Sequence, residues 1–179
     1  DFEDGEFNKF REWWSFGKVM ISAVPNEEKD QFLDKKSMRL IASSNNWYAG
    51  GIGTYLNENA EYFDTLKIVV YSPKLNSGSL RIELYDDDNN NSVVDIDKDT
   101  SKPAKDDVFI YDLNLTFEGW QVIKIPLSDF IDFNSEVGDN IWNPNQLYGS
   151  SGLVQMQIIV MSSKYNRSEE HTSELQSLT

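Results

Sequence analysis

Apolar residues alternate with polar ones, or run together for five to nine positions, at 19–24, 38–42, 48–56, 65–71, 80–85, 108–115, 121–125 and 153–161. Such lengths and their Val, Ile, Tyr and Phe content predict strands, and the Gly, Pro, Asn, Asp and Ser clusters between them predict turns. Short strands at this spacing imply an all-β chain folded as a β-sandwich or jelly roll. Within 48–56, Gly50, Gly51 and Gly53 predict a bulge or a close approach of another group to the backbone. One helical turn is expected in 57–64 and another in 127–130, and the low-complexity acidic stretch 86–107 reads as a solvated loop.

Alternation also sorts the side chains. Successive residues of a strand point to opposite faces, so Leu80, Ile82 and Leu84 share one side while Arg81, Glu83 and Tyr85 share the other. Along 153–161, Val154, Met156, Ile158 and Val160 form an apolar row opposite Gln155 and Gln157. If the two strands share a sheet, Arg81, Glu83, Tyr85, Gln155 and Gln157 build a polar, partly aromatic surface. A saccharide needs such a surface: its apolar C–H faces pack on rings, and its hydroxyls want paired donors and acceptors. An ordinary solvated sheet face has the same pattern. Trp47 and Tyr48 follow the polar turn 43–46, where rings emerge at a loop edge, and are the strongest stacking candidates.

Toward the middle of the chain the motif Trp120, Ile125, Pro126, Leu127 and Phe130 follows a strand and an acidic loop. It resembles the carbohydrate-binding modules of galactose-binding-like jelly-roll fold, above all the type that binds β-glucan. The resemblance implies a non-catalytic module binding polysaccharide or oligosaccharide on a concave sheet face, covalently linked to catalytic domains of a larger glycan-degrading protein, extracellular or at the cell surface. It also implies that Trp120 is interior. Of the adjacent Trp13 and Trp14, one faces inward and one outward, and the resemblance selects Trp14 as the outward ring. Modules of this kind hold a structural calcium through an acidic residue of an opening Asp-Phe-Glu, here Glu3.

Charge and composition narrow the alternatives. The chain has 179 residues and a net charge of −14. Its last segment, 167–179, resembles a translated sequencing-library adapter, so 1–166 is read as the domain, expected to be cut short of its last strand, and 167–179 as a non-native tail. Removing the tail's one Arg and three Glu leaves −12, which repels nucleic acid and anionic membrane surfaces. No apolar run approaches the roughly 20 residues of a membrane span. There is no Cys, and the one histidine, His171, lies in the tail, so Ser–His and Cys–His catalysis are excluded and a non-enzyme is expected. Asp95, Asp97 and Asp99 have the alternation of the first ligands of a calcium loop, with Asp106 at the twelfth position. Thr100 stands where such a loop needs Gly, and Pro103 intervenes, which leaves an irregular structural calcium site. The other reading of the whole chain is a non-catalytic structural or protein-interaction β-sandwich domain of a secreted or surface protein.

Overall fold

The computed structural model of the chain describes residues 13–25, 36–42, 44, 48–100, 102–161 and 171–176, the last six by their backbone pairing. The strands in chain order are β1 (Trp13–Gly17), β2 (Val19–Pro25), β3 (Lys36–Ala42), β4 (Tyr48–Glu58), β5 (Thr65–Ser72), β6 (Ser79–Asp86), β7 (Asp107–Asn114), β8 (Gly119–Pro126), β9 (Ile131–Asp132), β10 (Leu153–Met161) and β11 (His171–Gln176). They form two antiparallel sheets, ordered β1-β4-β10-β6-β7-β9 and β2-β3-β11-β5-β8. A 3-10 turn, Leu127–Asp129, follows β8. The other expected helical turn is only a chain reversal, closed by Phe63 N–H to Ala60 O at 3.1 Å.

The inward rows of both sheets make one core. Ile52, Leu80, Ile82, Leu84, Ile158 and Val160 of the first sheet meet Met38, Leu40, Ile68, Val70 and Ile125 of the second. Ile82, Leu80, Leu40 and Met38 are fully buried, each contributing about 1.5–3 kcal/mol by leaving water. This two-layer packing lets the opposite faces carry polar residues, and the strands show that alternation.

One expectation changes here. Trp120 is half-buried rather than interior: it lies beside Tyr71, ring centroids 5.2 Å apart, on the outer face of the second sheet. The reason is parity, because Trp120 stands five positions from the fully buried Ile125 and so faces the other way. The segment 171–176, inside the tail read as non-native, pairs with both β3 and β5. A gap between those strands would leave two rows of unpaired backbone donors and acceptors, which a chain of strand length satisfies.

Candidate functional site

The register of the first sheet aligns its outward side chains in three rows. One row runs Tyr55, Gln155, Tyr85, Val108; the next Trp14, Gly53, Gln157, Glu83, Ile110; the third Phe16, Gly51, Ile159, Arg81, Asp112. The glycines explain how rings lie flat at the β1 end. A Cβ on Gly53 would run into the Trp14 indole, and one on Gly51 would stand 2.7 Å from Cζ of Phe16, so both rings rest directly on the β4 backbone. Trp14 also meets Tyr55, with centroids 4.6 Å apart and planes tilted by 41°. Trp13 packs instead against the core. Gly50, at φ 137°, sits at a register shift between Val160 and Met161. This bulge breaks the alternation, which brings Tyr48 to the side of Phe16, where both line the same cleft.

The polar floor is internally paired. Arg81 donates from Nε and Nη2 to the two carboxylate oxygens of Asp112 at 2.7 and 2.9 Å, which raises the Arg81 pKa, and its guanidinium lies 5.4 Å from the Phe133 ring centroid. Tyr85 Oη donates to Glu83 Oε2 at 2.7 Å. Burial pushes the Glu83 carboxyl above its ordinary range, against the pull of Tyr85 and Arg81. Burial, with Glu83 beside it, also raises the Tyr85 phenol, whose oxygen Gln155 bonds. Tyr85 was expected to stack on a sugar, yet it is 5% exposed. Its ring is covered, together with Val108 and Ile110, by Val94 of the β6–β7 loop. Its hydroxyl reaches the cleft floor through Glu83. Gln155 is likewise buried, while Gln157 stays partly open.

Two walls rise over this floor and enclose a cleft of about 900 Å³. One is the acidic insertion, which is not a formless loop: Ile96 and Pro103 bridge, Asp97 N–H donates to Lys102 O and Ala104 N–H to Asp95 O, both at 2.8 Å, making a small hairpin. The other is the segment 133–137 after β9. Floor residues Arg81, Glu83, Tyr85, Gln157 and Ile159 face Ile96 and Lys102 on one side and Phe133 and Glu136 on the other. Phe16, Tyr55 and Phe133 escaped the sequence reading. Tyr55 shares the Gly53 side of a run read as a strand and was legible by parity; Phe16, in a segment without clear alternation, and Phe133 carried no such signal. Trp47 and Glu3 lie outside the described residues.

Of the carboxylates expected to hold a metal, Asp95 and Asp97 accept hydrogen bonds within the acidic insertion. Asp95 Oδ2 accepts from Asn89 and Asn91 Nδ2, both at 2.7 Å, and Asp97 Oδ1 accepts from the Asp99 and Thr100 amides at 3.0 and 2.7 Å. These bonds lower both pKa values and shape the hairpin. Among the described residues, the carboxylates that converge closely enough to hold a metal ion are Asp88, Asp107 and Asp139, with ligand atoms all within 4.8 Å of one another. Asp107 is fully buried. The Asn140 and Ile141 amides favour its charged form without completing a hydrogen bond to it, and burial with neighbouring Asp132 and Asp139 still raises it. Burial, with Asp107, Asp139 and Asp106 nearby, pushes Asp88 up to about 7.

No protein-family model matches the chain, and no curated protein matches it in sequence. Solved structures do match in shape. The family 11 carbohydrate-binding module of a cellulosomal cellulase of Clostridium thermocellum aligns over 93% of this chain and 84% of its own, at 14% identity and a TM-score of 0.48. An exo-β-agarase aligns over 98% of this chain at 11% identity and a TM-score of 0.55, the chain spanning 24% of that enzyme. A structure described under carbohydrate-binding modules of the β-sandwich superfamily aligns over 98% of this chain and 58% of its own, at 11% identity and a TM-score of 0.50. The chain has the β-sandwich fold of the carbohydrate-binding modules.

Proposed function

We propose that the chain is a non-catalytic carbohydrate-binding module that holds a polysaccharide chain along the outer face of its first sheet. The observation that carries this reading is the continuity of one face. Flat rings at the β1 end, Trp14 with Tyr55 and Phe16, pass directly into the open polar groups Gln157, Glu83 and Arg81 on the cleft floor. Pyranose C–H faces pack on the rings, while the amide, carboxylate and guanidinium meet hydroxyls in paired directions. Glu83 and Arg81 are already bonded within the protein, so the floor is preorganised and little side-chain entropy is lost on binding. Among the charged residues lining the cleft, Arg81 and Lys102 stand against Glu83 and Glu136, a balance that suits a neutral glycan. In this reading the module tethers catalytic domains of an extracellular or surface protein to their polymer, raising their local concentration, and calcium is its structural ion.

Affinity electrophoresis through gels containing mixed-linked β-glucan, xylan or agarose tests the proposal. The parent is expected to be retarded by at least one polymer, and Trp14→Ala and Glu83→Gln to migrate faster in that gel at unchanged melting temperature. Retardation in none of the gels, or retardation undiminished in both variants, refutes it.

A further inference from the structure

We propose that Asp88, Asp107 and Asp139 form a calcium-class cation site that fastens together the roots of the two cleft walls, so that saccharide retention depends on the bound ion. The second half rests on the binding role proposed above; the first does not.

The Asp107 carboxylate is the strongest sign of a missing ligand. It is fully buried, and neither of its oxygens has a hydrogen-bond partner. Asp88 Oδ1 is buried and unpartnered as well. A buried, unpaired carboxylate is costly unless it meets a cation. The charged neighbours acting most strongly on Asp88 and Asp107 are further carboxylates, Asp106, Asp132 and Asp139. The three side chains nevertheless turn toward one point. The loop backbone is built to close over it: Gly138 has φ +69°, and a Cβ there would strike the Asp107 carboxylate and stand 2.6 Å from Asp88 Oδ2.

The donor set selects the ion. Three carboxylates without His or Cys favour a hard cation. Two oxygens on one ion lie at most twice the bond length apart, about 4.6–5.2 Å for Ca²⁺ against about 4.0–4.2 Å for Mg²⁺. The ligand atoms of the three carboxylates all lie within 4.8 Å of one another, a spread that one Ca²⁺ ion spans. A side cavity of about 180 Å³ touches Asp88 and Asp139, giving an entry route and room for water ligands.

The position gives the site its consequence. Asp88 opens the segment that carries the 95–104 hairpin, Asp107 closes it as the first residue of β7, and Asp139 follows the 133–137 wall by two residues. Asp107 N–H already donates to Asp88 Oδ2 at 2.7 Å. With its amide nitrogen facing acceptors, Asn140 donates to Asp132 Oδ2 at 2.9 Å and Ser135 O at 2.7 Å, linking the site to the second wall. An ion at this point joins both walls to the end of the sheet.

The full chain, stripped with chelator, is titrated with Ca²⁺ and separately with Mg²⁺ by calorimetry and thermal unfolding, alongside Asp107→Asn, Asp139→Asn and the hairpin control Asp97→Asn. A hundredfold excess of Ca²⁺ over its Kd is expected to raise the parent's melting temperature by about 5–10 °C, with weaker binding of Mg²⁺. Asp107→Asn and Asp139→Asn should each weaken Ca²⁺ at least tenfold, while Asp97→Asn responds like the parent. Asp107→Asn should also melt above the ion-free parent, since it removes an unpaired buried charge, which shows that it folds. Absence of Ca²⁺ binding, or parental Ca²⁺ affinity in Asp107→Asn, overturns the site. Retardation on a retaining polymer should fall at least threefold in chelator; unchanged retardation overturns the clamp. If no polymer retards the protein, the binding role fails while calorimetry still decides the site.

Discussion

Gly53 offers a sharp test of the ring platform, because it alters the site without removing any group that a saccharide would touch. In Gly53→Ala the new Cβ would lie 2.5 Å from Cε2 of Trp14 and closer still to Cζ2. Carbon atoms in contact prefer about 3.5–4.0 Å, so the indole must retreat by about 1 Å or more. The ring is half-buried on the edge strand β1, so it moves at an expected stability cost below about 1 kcal/mol, under that of overpacking a closed core. Its level relative to Tyr55 and Gln157 is lost. An aromatic contact is worth about 0.5–1.5 kcal/mol, so saccharide affinity should fall by about 2- to 12-fold. Titration calorimetry or affinity gels on parent, Gly53→Ala, Trp14→Ala and the double variant measure this. The double variant should bind no worse than Trp14→Ala, since the glycine acts only through the ring. Parental affinity in Gly53→Ala, or losses that add in the double variant, would refute the reasoning.

Ile82 is fully buried in the core, so Ile82→Ala should cost about 2–5 kcal/mol in a urea unfolding experiment; a loss under 1 kcal/mol would show that the two sheets close over the gap. Burial holds the Glu83 carboxyl above its ordinary range, whereas in the unfolded chain it ionises near pH 4.3, at about the model-peptide value. The folded state therefore favours the neutral form, and this group's contribution to stability is complete below about pH 4.3 and lost as pH rises through the raised value. Glu83→Gln should flatten that part of the stability-versus-pH curve, and parallel curves for the two proteins would count against the assignment.

Much of the fold is written in local patterns. The eight runs read as strands all occur as strands, and the phase of β6 correctly separates Leu80, Ile82 and Leu84 from Arg81, Glu83 and Tyr85. The glycines at 50, 51 and 53 pointed to a bulge or a close approach, and the strand has one of each. Trp120 shows how a family pattern misled where simple parity from Ile125 would have served. β1 was missed because five residues containing two adjacent tryptophans show no clear alternation. Tyr85 was placed on the correct face but not in its correct environment, since nothing in its strand reveals that Val94 will cover it.

The sequence by itself determined which residues share a face, because side-chain direction in a strand follows from backbone geometry over two positions. Only the tertiary structure decided which face becomes a cleft, which rings lie on bare glycine backbone, and that Asp88 meets carboxylates 19 and 51 positions further along the chain. Those facts depend on strand order and on where loops settle, which are set by burial summed over the whole molecule and leave no period in the chain.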